Sequence, residues 1–246
     1  MIRTQFALCV LLLGLAATAG AITADELVAK NLEAKGGVAA LDAVQSVRRS
    51  GKLIVNGGQF VLGIVETRRR PGMIRDDVSL QGLTQVQSFD GQDGWKIDPF
   101  GGRKDPERVP ADDLKGLIED AEIGGPLAGY RERGATLEYL GTEDIDGTAA
   151  HKLRLAGKDG DVRYVYLDPD YFLEIRIESQ RSVRGVKETF VTDLGEYEKA
   201  DGVLWPLALT TGRKGDRSPS SIQYDKVEVN VPVDAGYFAF PAAAKN

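Results

Sequence analysis

Cysteine is nearly absent from this chain: of 246 residues only Cys9 carries a thiol, and it lies within an N-terminal apolar segment. Beyond that segment nothing can form a disulfide, a thiolate metal site or a cysteine nucleophile. Histidine is as scarce, with His151 alone, so no His-x-x-x-His or mixed Cys/His zinc pattern exists. Long apolar runs are missing too. Residues 6–15 form the main one, and it falls short of the roughly 20 residues that span a bilayer as a helix. Basic residues are in the minority, 31 against 37 acidic, for a formal net charge of −6. Nucleic acid is therefore excluded as a general partner, because a phosphate backbone needs a basic surface. Neither a Gly-x-Ser-x-Gly elbow nor a G-x-x-x-x-G-K-[ST] phosphate loop occurs.

What is present begins with a leader. Arg3 supplies a positive start, residues 6–15 an apolar centre, and Ala19-Gly20-Ala21 a small-x-small cleavage pattern. Residues 1–21 thus read as a signal peptide and residues 22–246 as one mature domain of about 225 residues, a size that β folds reach undivided. The expected location is the periplasm, in soluble form. Cys9 comes too early to be a lipidation site, so no lipid anchor is expected.

Thr23-Ala24-Asp25-Glu26 fits a capping box that opens a helix, with Leu27, Val28 and Leu32 on one side and Gly36-Gly37 as its stop. A shorter helical turn over 38–44 follows. From Ser46 the period falls to two. Strands are expected at 46–56, 59–69, 73–80 and 83–90, with a short one around Trp95, and again at 135–143, 149–156, 162–168, 172–180, 186–196, 203–211 and 221–231. Gly57-Gly58, Asp146-Gly147, Asp168-Pro169-Asp170 and Asp201-Gly202 provide the turns. About eleven short strands in tight succession point to an antiparallel meander. Alternation places Leu173, Ile175 and Ile177 on one face and Glu174, Arg176 and Glu178 on the other.

Residues 90–110, rich in Gly, Asp, Pro and Arg, read as a long irregular loop. Pro110 then suits the start of a helix, favoured by Asp112 and Asp113 in its first turn. Leu114, Leu117, Ile118 and Ala121 make one apolar stripe, and Gly124-Gly125-Pro126 ends it.

Sites of chemistry are few. His151 sits at the start of a strand and reads as a structural or surface residue, and the paired acids Asp76-Asp77, Asp168/Asp170 and Glu143/Asp144 fall in or beside turns, where Asp bonds the local backbone. Asp90-Gly91-Gln92-Asp93-Gly94 lacks the spacing of a calcium loop. No catalytic residue, metal or cofactor is expected. Charge is uneven: between residues 48 and 75 stand Arg48, Arg49, Lys52, Arg68, Arg69, Arg70 and Arg75 against Glu66 alone. Such a block is either a docking surface or a set of solvated strand faces. Tyr164, Tyr166, Tyr171, Phe172 and Phe190 cluster on neighbouring strands, where they either fill a core or line an apolar cavity.

The local texture resembles the LolA/LolB-like lipoprotein-carrier family, which includes RseB-type sensors. The resemblance lies in the leader followed by Ala-Asp-Glu-Leu-Val-Ala-Lys and Ala34-Lys35-Gly36-Gly37. It continues in Val165-Tyr166-Leu167-Asp168-Pro169-Asp170-Tyr171-Phe172, in Asp201-Gly202-Val203-Leu204-Trp205-Pro206, and in the closing Phe238-Ala239-Phe240-Pro241. It implies a mainly β fold: a curved, incomplete antiparallel β-barrel covered by a lid of short helices, with a hydrophobic concavity for acyl chains. The implied activity is non-enzymatic. It is that of a soluble periplasmic carrier of lipid acyl chains or lipoproteins towards the outer membrane, or alternatively of a sensing module, with a lipid or acylated lipoprotein as cargo and an inner- or outer-membrane protein as a further partner. Within that frame the candidate cavity residues are Tyr164, Tyr166, Leu173, Ile175, Ile177 and Phe190. The lid candidates are Leu114, Leu117 and Ile118, and the docking candidates are Arg48, Arg49, Arg68, Arg69 and Arg70.

Overall fold

The computed structural model describes residues 22–183 and 185–241; the expected leader lies outside the described residues. The chain opens with α1 (Ala24–Ala34) and α2 (Val38–Ala43), followed by β1 (Ser46–Val55), β2 (Phe60–Arg69), β3 (Met73–Leu80), β4 (Leu83–Phe89), β5 (Gly94–Asp98) and β6 (Arg103–Arg108). After α3 (Ala111–Asp120) come β7 (Thr136–Ile145), β8 (Thr148–Ala156), β9 (Val162–Leu167), β10 (Glu174–Val183), β11 (Val186–Ala200), β12 (Val203–Arg213) and β13 (Ser220–Val229). The capping box forms as the sequence requires: Thr23 Oγ1 accepts from the Glu26 N–H at 3.2 Å, and the Glu26 carboxylate accepts from the Thr23 N–H at 2.8 Å.

All thirteen strands join one antiparallel sheet in the order β6-β5-β4-β3-β2-β1-β13-β12-β11-β10-β9-β8-β7. It is two meanders fused where the first strand pairs with the last. That junction needs a glycine. At the β1 bulge between Ser50 and Gly51 the backbone of β13 comes so close that a Cβ on Gly51 would collide with the Gln223 carbonyl. β6 and β7 remain as free edges, and β6 protects itself with charges and Pro106. The expected loop over 90–110 is instead the β5–β6 hairpin: β5 is the short strand expected around Trp95, β6 is unexpected, and the strand count stands at thirteen against about eleven. β6 is short and polar, so it carries no apolar alternation to reveal it.

The sheet is strongly curved, and α3 shows why it must be. α3 touches β3 and β4 on one side and β10 on the other. In the sheet β3 and β10 are six strand spacings apart, roughly 29 Å if flat. A helix about 10–12 Å wide reaches both only if the sheet curls beneath it.

All three helices pack on the inner face. α1 lays Leu27 and Val28 over Leu153, Leu155, Val165 and Leu167, together with Leu127 and Tyr130. α2 sets Leu41 and Val44 against Val47, Val203, Trp205 and Ile123. The Leu117 and Ala121 side chains of α3 meet Ile74 and Phe89. The outer face has its own cover on β3–β5, where the segment after β13 crosses: Trp95 Nε1 and Ser88 Oγ both donate to the Phe238 carbonyl, at 2.7 and 3.0 Å. Among the described residues no helix is long and apolar enough to cross a membrane.

Candidate ligand cavity beneath helix α3

Between α3 and the inner face lies a cavity of about 140 Å³. Its floor is apolar, formed by Val47, Ile177, Leu194, Val203, Trp205 and Leu209. Its walls are ionic. On one side the charged residues continue the inward phase of two strands: Val47 is followed by Arg49 on β1, and Leu62 and Ile64 by Glu66 and Arg68 on β2. Register pairs Arg49 with Glu66 and Val47 with Arg68. Arg49 donates to Glu66 Oε1 from Nε at 2.9 Å and from Nη2 at 2.7 Å. Arg68 Nη2 donates to Oε2 at 2.9 Å, and the Tyr224 hydroxyl to the same oxygen at 3.2 Å. Burial alone would raise the Glu66 carboxyl, but the two guanidinium charges outweigh it and hold the group down at about 2.

Asp76 lies directly opposite Glu66 in the β2–β3 register. Its Oδ1 is buried without a hydrogen bond, and burial beside Glu66 pushes its carboxyl well above the ordinary value. Two acids face each other here, and the environment keeps them different: one ionised and clamped, the other inclined to hold its proton. On the opposite wall Lys35, at the end of α1, donates from Nζ to Glu174 Oε1 and to the Gly124 carbonyl, both at 2.9 Å. The Tyr197 hydroxyl donates to the Glu174 carbonyl at 2.8 Å.

The cover consists of α3 and residues 121–125. Glu119 accepts from Ser179 Oγ at 3.0 Å and Arg181 Nη1 at 3.1 Å. Glu122 accepts from Arg163 at 2.9 and 3.2 Å and pairs with Arg133 at 3.0 Å. Asp120 faces the cavity. Desolvation pushes the Glu119 carboxyl upward. On the far side of residues 121–125 is an open groove of about 880 Å³, bordered by Val38, Leu41, Phe89, Ile118 and Ile123. Glu122, Ile123 and Gly125 border both spaces, so this one segment divides them.

The residues singled out from the sequence are dispersed by this geometry. Ile177 lies on the cavity floor. Phe190 pairs with Ser179 across β10–β11, and the Arg181 guanidinium covers its ring at 4.3 Å. Tyr164, Tyr166 and Ile175 pack with Ile145 and Ala150 in a separate cluster on the outer face. The expected common face of Leu173, Ile175 and Ile177 is broken by a bulge between Glu174 and Arg176. One extra residue reverses the alternation, so Glu174 joins Ile177 at the cavity while Ile175 turns away. Leu173 sits in the β9–β10 turn, where its carbonyl accepts from the Asp168 N–H.

Of the α3 residues, Leu117 is buried, Leu114 is partly buried beside it, and Ile118 is exposed towards the groove. The five arginines make no common surface. Arg49 and Arg68 are interior. Arg70 donates to the Val44 and Leu41 carbonyls at the end of α2, Arg48 to Thr67, and Arg69 to Met73 Sδ. His151 packs beneath α1, with its Nδ1 at 2.9 Å from the Tyr139 hydroxyl and its ring stacked on Phe172. Among the described residues no group of three or more His, Cys, Asp or Glu is placed to hold a metal ion.

Sequence reasoning missed Lys35, Glu66, Asp76, Glu119, Asp120, Glu122 and Glu174. A signal for part of this set exists. Glu66 and Arg68 extend the apolar phase Leu62–Ile64, and a charge in the inward phase of a strand requires a buried partner.

No family model and no curated protein matches the sequence. Solved structures do match in shape. A LolA superfamily protein from Nitrosomonas europaea superposes with a TM-score of 0.60 at 15% identity, over 89% of this chain and 98% of its own. A DUF1329 family protein from Desulfovibrio piger gives 0.60 at 14% identity, over 88% and 97%. Identity at this level speaks for the fold alone, and it agrees with what the topology shows independently: an open, curled antiparallel sheet whose helices all cover the inner face is a LolA-like fold.

Proposed function

We propose that the protein is a non-enzymatic periplasmic carrier that shelters an apolar chain, such as a lipid acyl chain, between the curled sheet and α3. One observation carries the reading: an apolar floor lies under a cover that is fastened on one side by ion pairs. Such a floor favours acyl methylenes by about 0.8 kcal/mol for each CH₂ withdrawn from water. Size adds a requirement. A cavity of about 150 Å³ holds a molecule the size of benzene, so the space of about 140 Å³ beneath α3 takes only the end of an acyl chain. Displacing residues 121–125 would join it to the groove of about 880 Å³ and give a site in the usual range for larger ligands. Loading and release are therefore coupled to movement of the cover. Delivery of lipoproteins towards the outer membrane is the finer form of this reading, in line with the expected leader and supported by the LolA-like fold.

The test is native mass spectrometry of protein purified from its own periplasm without detergent, followed by solvent extraction, and then titration of stripped protein with a fluorescent C16 fatty acid. A bound mass that extracts as lipid, or saturable uptake of the probe, is expected. A clean protein mass together with no uptake overturns the carrier.

A further inference from the structure

Nine large apolar side chains are exposed among the described residues, and five of them, Phe60, Val61, Leu83, Phe100 and Val186, stand at one end of the sheet beside the hairpin connections. Three of these are neighbours. Gly63 pairs with Ser79 and Leu80 with Leu83, so continuing the β2–β3 register brings Phe60 opposite Gly82, next to Leu83. Val86 pairs with Ile97, and the same continuation sets Leu83 opposite Phe100. Phe60, Leu83 and Phe100 thus form a row across adjoining tips, 49, 44 and 41% exposed.

Cations stand beside three tips of this rim. Arg103 and Lys104 flank the β5–β6 tip, Lys187 the β10–β11 tip, and Arg213, Lys214 and Arg217 the β12–β13 tip, against Asp98 and Asp216. Arg103, Arg213 and Lys214 are paired with Glu107, Glu188 and Glu178. Lys104, Lys187 and Arg217 are exposed and make no ion pair among the described residues. The β8–β9 turn, with Lys158, Asp159 and Asp161, is the one acidic connection, and its Asp161 is bound to Lys115. The turns at the opposite rim, with their flanking strand residues, carry Asp90, Asp93, Asp144, Asp146, Asp168, Asp170, Glu174 and Asp201 against Arg68, Arg69, Arg70 and Lys199. A chain of net charge −6 has concentrated cations and exposed apolar tips at the same end. Apolar side chains that insert below the headgroups, flanked by cations that pair with them, are what a negatively charged lipid interface selects.

We propose that this rim docks on an anionic lipid surface, with Phe60, Leu83 and Phe100 entering the interface and Lys104, Lys187 and Arg217 contacting headgroups. The inference requires neither the cavity nor a mobile cover, so it stands or falls apart from the carrier reading.

The test is co-sedimentation of the chain from Ile22 onwards with vesicles of phosphatidylethanolamine and phosphatidylglycerol, and with vesicles of phosphatidylcholine alone. Binding is expected only to the anionic vesicles, weakening several-fold between 0.05 and 0.5 M NaCl, an increase that shortens the screening length well below about 10 Å. The triple variant Phe60→Ser, Leu83→Ser, Phe100→Ser and the triple variant Lys104→Glu, Lys187→Glu, Arg217→Glu should each bind at least tenfold more weakly. All six positions are exposed, so both variants should keep the parent thermal midpoint. No binding to anionic vesicles overturns the proposal. So does binding that neither variant weakens, or a rim that captures a membrane protein while bare vesicles fail.

Discussion

Along one edge α3 rests on β3 and β4 through Leu114, Leu117 and Ala121, against Ile74 and Phe89. Along the other, Glu119 and the following Glu122 meet Ser179, Arg181 and Arg163 of β10 and β9. The first contact is non-directional and gains by excluding water. The second is directional, and its partners recover hydration when it opens, so its net worth is small compared with its gross Coulomb energy. On the proposed carrier reading, the apolar edge serves as the hinge of this helix and the ionic edge as its latch, and the difference would let the site keep water from an apolar floor and still release its cargo.

The comparison breaks first at the hinge. Leu117→Ala removes a side chain that is 4% exposed, and a buried truncation of this kind costs about 2–5 kcal/mol. A urea titration should show the midpoint falling without a change in slope. The latch should cost less. Glu122→Ala leaves Arg163 and Arg133 without their carboxylate, a loss of about 1–3 kcal/mol for stranded polar groups. Its signature should be local, with faster hydrogen exchange over residues 121–125 than in β1 or β13. A Glu122 variant that loosened the whole sheet equally would show that the latch is an ordinary part of the core.

Acidity sharpens the contrast because the carboxylates titrate in opposite senses. Glu66 is held at about 2, below its ordinary 4.5. It therefore contributes stability that is present above 4.5 and lost as pH falls towards 2. Glu119 is raised by desolvation above 4.5. For it the folded state binds the proton more tightly, so closure is favoured at acidic pH and weakens as pH rises from 4.5 through the raised value. Acrylamide quenching of Trp205, in a Trp95→Phe background, should accordingly increase as pH rises above 4.5. The variant Glu119→Gln should flatten that rise. Quenching that rose towards acid would reverse the assigned direction.

Much of the frame was legible in the residues, and the reasons for the rest are specific. The Thr23–Glu26 box, the turns and the two-residue period are local signals, and the helices and most strands follow them. β6 escaped because a short, polar edge strand lacks apolar alternation. The cavity wall escaped for another reason: a single bulged residue at Glu174/Arg176 turns Ile175 and Ile177 to opposite faces, and no pattern marks where a bulge falls. The arginines between 48 and 75 show the limit of counting charge along a chain. Arg49 and Arg68 are spent inside on Glu66, while the cations left exposed at the hairpin tips are scattered over more than a hundred residues of sequence.

Ile118 belongs to neither edge, and it gives the smallest expected change in stability. It sits one position from Leu117 in the same apolar stripe, yet it is 47% exposed and borders the outer groove. Replacing it with serine removes no buried contact, so unfolding should shift by no more than about 0.5 kcal/mol. If ligands enter through the groove, however, Ile118 lies on their way to residues 121–125. Ile118→Ser should then slow uptake of a C16 probe several-fold while leaving the urea midpoint in place. Leu117→Ala should do the reverse, loosening the hinge and speeding exchange of the same probe. Equal effects of the two substitutions on uptake would mean that the stripe acts as one packed face, and the distinction between hinge and entrance would be lost.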